Sequence, residues 1–279
     1  MNDAPLLPHF IIIGAMKSGT TTLYRHLSQH PGIDMSRDKE TDFFVAEKNA
    51  GRGLDWYSAQ FTRGEAVRGE ASPNYAKRRD FPGVPERMAA TCPDVRLIYV
   101  LRDPIIRAES QFRHSVLIGD LRPDLSDFAG SHEYMHIMDA SHYAHQLDAY
   151  LQYFERDAVL VLDFDDLVRD PQGTLNRVFT HIGVAPVSIA EAEVRNDSSQ
   201  LSRVPAPVLR FAQSQVGRRI AGALDRDLRD KVRHVLARGR ARTAPQFPSE
   251  LRERMRAELV PDVARLRAMT GMPFSGWSL

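Results

Sequence analysis

The sequence predicts an α/β domain: a phosphate-loop-containing, mostly parallel sheet flanked by helices, with a helical C-terminal region. Three observations carry that prediction. Short β-branched apolar runs alternate with helix-spaced apolar stretches along residues 9–185. A buried-type strand, a glycine-bearing turn and a helix start follow one another between Phe10 and Leu27. Pro104, Pro171 and Gly183 stand where helices should open or close.

In chain order, Phe10-Ile11-Ile12-Ile13 reads as a strand, and Thr20–Leu27 as a helix that stops before Pro31-Gly32. A short strand follows near Gly32–Met35, and the polar segment Arg37-Asp38-Lys39-Glu40-Thr41-Asp42 then runs into Phe43-Phe44-Val45. Val67–Glu70 is a further strand, and Ser72-Pro73-Asn74 a turn. Arg96–Leu101 is a strong strand, after which Asp103 can cap a helix that has Pro104 in its first position. Tyr143, Leu147, Tyr150, Leu151 and Phe154 recur at helical spacing, and Ala158–Phe164 is another buried strand. Pro171 opens a helix with Leu175, Val178, Phe179 and Ile182 on one face, closed by Gly183. This order predicts ligand binding at the carboxyl ends of the strands.

The chain is read as one domain, 1–279, with a core at about 9–185 and a basic helical region at about 190–279. Residues 201–242 hold eleven Lys/Arg against three Asp/Glu, which fits either a solvated helical face or a polyanion-binding surface. Pro245–Ser249 leads into a final helix, roughly Glu250 to Met269, that Gly271 ends; Phe274 and Trp277 are expected to dock back on the body. A hydrophobic fraction of 43% and a charged fraction of 26% suit a globular core, and a net charge of +1 offers no general attraction to nucleic acid. With no run of 18 apolar residues and no basic-then-apolar leader, the expectation is a soluble, unexported, cytoplasmic protein. The single cysteine, Cys92, rules out an intrachain disulfide and a multi-cysteine metal site, and reads as an inert packing residue. The histidines are scattered, with His142 and His145 read as rim residues, and no metal is expected.

The chemistry concentrates first in Gly14-Ala15-Met16-Lys17-Ser18-Gly19-Thr20-Thr21. Its glycine spacing is that of G-x-x-x-x-G-K-[ST], but Thr20 fills the lysine slot and the lysine, Lys17, comes three residues earlier. Backbone N–H groups at a helix start attract an anion. The displaced lysine should then reach the scissile region of a diphosphate-like group, not a Mg²⁺-bound γ-phosphate. Arg102 at a strand end and Ser110 two turns along the next helix make a second phosphate clamp. The alternative is that Arg102 pairs with Asp103 or Glu109 on the surface. Val159–Asp163 imitates a Walker B strand, a weak signal in any parallel sheet.

The first loop, together with Leu101-Arg102-Asp103-Pro104, Arg107 and Ser110, resembles the two signatures of sulfotransferases that use 3′-phosphoadenosine-5′-phosphosulfate (PAPS). Lys39-Glu40-Thr41-Asp42-Phe43-Phe44 and Gly69-Glu70-Ala71-Ser72-Pro73-Asn74-Tyr75 are similar to the heparan-sulfate-type, carbohydrate branch. Asp163–Leu167 with Asp170-Pro171 adds to the likeness, which spans about residues 9–185. It implies that Lys17, Ser18, Gly19, Thr20 and Thr21 hold the 5′-phosphosulfate, and that Arg102 and Ser110 hold the 3′-phosphate. It also implies adenosine 3′,5′-bisphosphate (PAP) as product and no metal. Glu40 matches the position of that branch's catalytic base, with Lys17 the second catalytic residue. Arg203 is placed near the cofactor as well. Met16, Asp42 and Ala71 stand where an arginine, a histidine and a lysine are common in the 3-O-sulfotransferases, and nothing after residue 190 matches their paired-cysteine loop. The acceptor class is therefore left broad: a hydroxyl or amine of a glycan, a glycolipid or a small natural product.

Alternatives stay open at this level. Glu40 could cap a helix or pair with Arg37 or Lys39, and His114 is a second candidate base. A kinase or nucleotide hydrolase with the same loop is a rival class that Thr20 argues against. A non-catalytic polyanion-binding module using 201–242 is another.

Overall fold

The computed structural model describes residues 5–122, 124–189 and 244–279. The basic stretch 201–242, including Arg203, lies outside the described residues. Among the described residues five parallel strands form one sheet in the order β2-β3-β1-β4-β5. They are β1 (Phe10–Gly14), β2 (Ile33–Met35), β3 (Val67–Ala71), β4 (Arg96–Leu101) and β5 (Val159–Asp163). The register places Ile12 beside Ala71 on one side and Ile98 on the other. Each predicted strand is found within one or two residues of its expected ends.

Side-chain alternation along the strands splits the core into two layers. Ile11, Ile13, Leu97, Tyr99 and Leu101 face a cluster that includes Tyr143, Leu147 and Tyr150 of helix α6 (Tyr143–Tyr150) and Val263 and Leu266 of helix α9 (Ser249–Thr270). Phe10, Ile12, Ile98, Val100 and Leu162 face Leu23 and Leu27 of α1 (Thr20–Leu27) and Leu175, Val178 and Phe179 of α8 (Pro171–Ile182). Strands covered on both faces need near-continuous apolar runs, and β1, β4 and β5 are such runs. Truncating Ile12, fully buried between two strands, to alanine should cost about 2–5 kcal/mol. Gly69 is required by close approach: a Cβ there would lie 2.1 Å from the Phe10 ring.

Among the described residues the remaining helices are α2 (Gly53–Ser58), α3 (Val84–Thr91), α4 (Pro104–Ile118), α5 (His132–Asp139) and α7 (Phe164–Arg169). Of these, α2, α3, α5 and α7 are not foreshadowed by the periodicity, because six to eight residues span too few turns to show a stripe. The expected cap of α4 is present: Asp103 Oδ1 accepts from Ile105 N at 2.9 Å and Ile106 N at 3.0 Å, a device worth about 1 kcal/mol. Helix α9 caps a neighbour in turn, as Asp262 accepts from the Ala144 and His145 amides at the start of α6. The C-terminal aromatics dock as expected. Phe274 and Trp277 stack at 4.2 Å between ring centroids and are buried. Trp277 Nε1 donates to Asp163 Oδ1, and Ser278 N to Asp103 Oδ2, so the tail closes over the ends of β4 and β5.

Candidate active site

The connection after β1 runs toward β2 on one side and the connection after β4 toward β5 on the other, so a crevice opens at the carboxyl ends of β1 and β4. That crevice is where open parallel sheets bind ligands. The loop after β1 is held from below: Ala15 N donates to Val100 O at 2.7 Å. From the side, the wholly buried Arg107 braces it, bonding Met16 O, Gln111 Oε1, Ser141 Oγ and Ile137 O. Arg107 is thus a structural brace of the loop, a role its place in the second motif did not disclose.

Gly19 turns the chain into α1 with φ 87°. A Cβ there would lie 2.5 Å from the Phe164 ring, so glycine is needed on both counts. Among the described residues no side chain caps the start of α1, which leaves its first N–H groups and the positive end of its dipole open to an anion. Ser18 is fully buried, with its hydroxyl beside that of Tyr143. A buried hydroxyl at a helix start that no described side chain caps fits an anionic ligand. Thr20 is buried and Thr21 exposed at the same end.

Lys17 has φ 68°, one of four non-glycine residues with positive φ among those described. Burial depresses its ammonium below the usual lysine range; the Glu40 charge offsets this, while Arg102 and Lys39 depress it further. Lys17, Glu40 and Arg102 therefore share one electrostatic environment. Arg102 follows β4, with its guanidinium carbon 4.9 Å from the centre of the Phe164 ring. Its backbone carbonyl accepts from Tyr143 Oη at 2.7 Å. The surface pairing of Arg102 with Asp103 or Glu109 is not what forms. Asp103 caps α4 and takes Ser278 N, while Glu109 accepts from Arg252 Nη2 at 2.6 Å and from Phe247 N. Ser110 lies half-buried on α4.

Glu40 is exposed, has φ 66°, and pairs with Lys39 at 2.6 Å, the neighbour the sequence offered. Its amide donates to Ala71 O at 3.0 Å, hanging its loop on the end of β3. Asp42, next but one, has φ 47° and is gripped by Asn74 Nδ2, Lys48 Nζ and the Ser72 hydroxyl, which accepts from the Asp42 amide. Phe43 and Phe44 are buried beneath. His114, on α4, joins the same cluster: burial and the Lys17 charge hold its imidazole down at about 4, against an upward pull from Glu40. It is therefore neutral at pH 7.

Other sequence candidates separate from this centre. Asp163 accepts from Asp165 N and Trp277 Nε1, so the Walker-B-like strand ends in a helix cap and a tail anchor. Cys92 is buried, and burial raises its thiol to about 12. His142 reaches Glu258 Oε1 at 3.3 Å on α9. Two positions that pack against this centre carried no role in the sequence reading. Phe164, which touches both Gly19 and Arg102, lay in a motif but carried no assigned role. Glu70, wholly buried beneath the Glu40 loop, had a signal only in its place inside Gly69–Tyr75. The described residues hold no group of three or more His, Cys, Asp or Glu that could take a metal ion. None of their helices is long and apolar enough to cross a membrane.

A family model described as Sulfotransferase domain matches residues 7–202. Human heparan sulfate glucosamine 3-O-sulfotransferase 3B1 is 27% identical over 283 aligned positions, covering 97% of this chain and 65% of that protein. Bifunctional heparan sulfate N-deacetylase/N-sulfotransferase 1 of Caenorhabditis elegans is 28% identical over 184 positions, 61% of this chain and 21% of its own length. The chain thus spans 65% or less of these curated relatives. A crystal structure of a sulfotransferase from Alicyclobacillus acidocaldarius matches with a TM-score of 0.70 and 26% identity, covering 98% of this chain and 99% of that one.

Proposed function

The chain belongs to the sulfotransferase domain family, and on that premise we propose that it moves a sulfuryl group from PAPS to a hydroxyl or amine of a carbohydrate, glycolipid or small natural-product acceptor, with residues 1–279 acting as one domain. The observation that carries this reading is the meeting of Lys17, Glu40 and Arg102 at one uncapped helix start. When bound, PAPS supplies an activated sulfuryl group with a phosphate as leaving group.

Lys17, Ser18, Gly19, Thr20 and Thr21 would hold the 5′-phosphosulfate, using the α1 amides, the Ser18 hydroxyl and the Lys17 ammonium. Arg102 and Ser110 would hold the 3′-phosphate, with Phe164 supporting the guanidinium plane. Lys17, partly desolvated, is placed to stabilise negative charge as it develops on the leaving phosphate. Glu40 is the general base: its carboxylate is exposed to an incoming acceptor and close enough to Lys17 for the two charges to interact. Among acceptors, a heparan-sulfate-type sugar is the class that these relatives favour.

Thermal shift separates this reading from its rivals. PAP without metal should raise Tm, whereas ATP with Mg²⁺ should not. Labelled sulfate from PAPS should then enter an acceptor in a panel of N-sulfated and desulfated glycosaminoglycan oligosaccharides, glycolipids and phenols. Stabilisation by ATP–Mg²⁺ alone would favour the kinase or hydrolase class, and stabilisation by polyanions alone a binding module.

A further inference from the structure

The candidate base sits on backbone that most side chains avoid. Glu40 and Asp42 both have positive φ, 66° and 47°. Such residues persist only where their surroundings over-determine them. The residue between them, Thr41, is buried, and its hydroxyl donates to Glu70 Oε2. Glu70 is 0% exposed and accepts from four hydroxyls: Thr41 and Ser72 on Oε2, Tyr57 at 2.9 Å and Tyr75 at 2.8 Å on Oε1. Those donors come from the Glu40 loop, from α2, and from the turn after β3. Among the described residues no lysine, arginine or histidine forms an ion pair with it.

We propose that Glu70 is a positioning residue: through Thr41 it fixes the left-handed turn at Glu40 and thereby aims the Glu40 carboxylate at Lys17 and the acceptor. The inference rests on the reading of Glu40 as base. A carboxylate buried without a cation is a poor source of stability. Burial raises Glu70 to about 7, against the pull of its hydroxyl donors, and Asp42 adds to the rise. Holding a charged group there costs folding energy, so its return is sought in the loop it organises. A set of four O–H donors suits a carboxylate, which has only acceptor sites. The Asp42 carboxylate keeps its ties to Asn74 and Lys48 when Glu70 is lost, so Thr41 and Glu40 should loosen more than Asp42, although the Ser72 hydroxyl serves both Glu70 and the Asp42 amide.

Lys17 reports where the Glu40 carboxylate lies, because that charge raises its titration. The chain's lysines are Lys17, Lys39, Lys48, Lys77 and Lys231, few enough to resolve after ¹³C-dimethylation. In NMR titrations of the full chain with PAP absent, Glu40→Gln should shift the Lys17 midpoint downward. Glu70→Gln and Thr41→Val should shift it the same way, Thr41→Ser should restore it, and Glu70→Gln should add nothing in the Glu40→Gln background. Hydrogen exchange at the Glu40 amide should speed up in Glu70→Gln and Thr41→Val. Turnover of labelled PAPS should fall on the order of 10²-fold with PAP affinity unchanged. A parental Lys17 midpoint in both Glu70→Gln and Thr41→Val, or a shift that adds fully to that of Glu40→Gln, would overturn the proposal. If Glu70→Gln does not fold, Thr41→Val and Thr41→Ser decide it. Parental turnover in Glu40→Gln would remove the base assignment instead, leaving the Lys17 result to judge Glu70 separately.

Discussion

Phe164 joins the two halves of the candidate donor site: its ring carries the Arg102 guanidinium at 4.9 Å and also fills the space where a Cβ of residue 19 would stand. Arg102 is thus aimed by an aromatic platform that also fixes the backbone of the phosphate loop. Arg102→Ala should weaken PAP binding by about 2–3 kcal/mol if the contact to the 3′-phosphate is charge-assisted. Phe164→Ala should weaken it less, by about 1 kcal/mol. Calorimetric titration with PAP checks both, and parental affinity in Arg102→Ala would refute the 3′-phosphate assignment.

Lys17→Ala should act differently from Arg102→Ala. Charge on the leaving phosphate grows in the transition state, so its stabiliser affects turnover more than ground-state binding. The expected pattern is a kcat loss of ~10²-fold or more, with PAP affinity changed only a few-fold. A variant that lost PAP binding but kept kcat at saturation would place Lys17 in ground-state recognition.

Glu40→Gln keeps the shape of the side chain and removes its basicity. Turnover should fall by ~10²–10⁴-fold while Tm and PAP affinity stay near the parent values. The exposed Glu40–Lys39 pair contributes little to folding, which is why Tm should hold. If most of kcat survives, the neutral imidazole of His114 is the group to substitute next.

Glu70 makes a prediction about stability alone. Its folded value, about 7, lies above its ordinary value of 4.5, so the folded state binds more protons between those pH values. Its contribution to stability is therefore greatest below about 4.5, falls as pH rises toward 7, and levels off above it. The full swing is roughly 3 kcal/mol. Urea melts across this range should show the parent losing stability relative to Glu70→Gln as pH rises. Parallel curves for the two proteins would mean that Glu70 does not titrate there.

The strands, the α1 and α8 helices, the Asp103 cap and the docking tail were legible because local pattern determines them. Short apolar runs, glycine at a left-handed turn and proline at a helix start act over a few residues. The phosphate loop was legible for the same reason: Lys17, Ser18, Gly19, Thr20 and Thr21 are contiguous, and the start of α1 follows them. Glu40 and Arg102 could be named from motifs, yet no local rule says that residues 17, 40 and 102 come together. Strand order decides that, since β1 pairs with β3 on one side and β4 on the other, so that the loop hung on β3 and the end of β4 flank the loop after β1. Glu70 shows the limit most clearly. By period two it shares a strand face with Arg68, a pattern that reads as solvent-facing. Tyr57 from α2 and Tyr75 from the following turn cover it, turning a surface-type glutamate into a buried acceptor of four hydroxyls. Sequence alone determined the strands, the longer or capped helices and a candidate anion site. Tertiary packing decided which distant side chains share that anion's field, because burial and proximity are properties of neighbours remote along the chain.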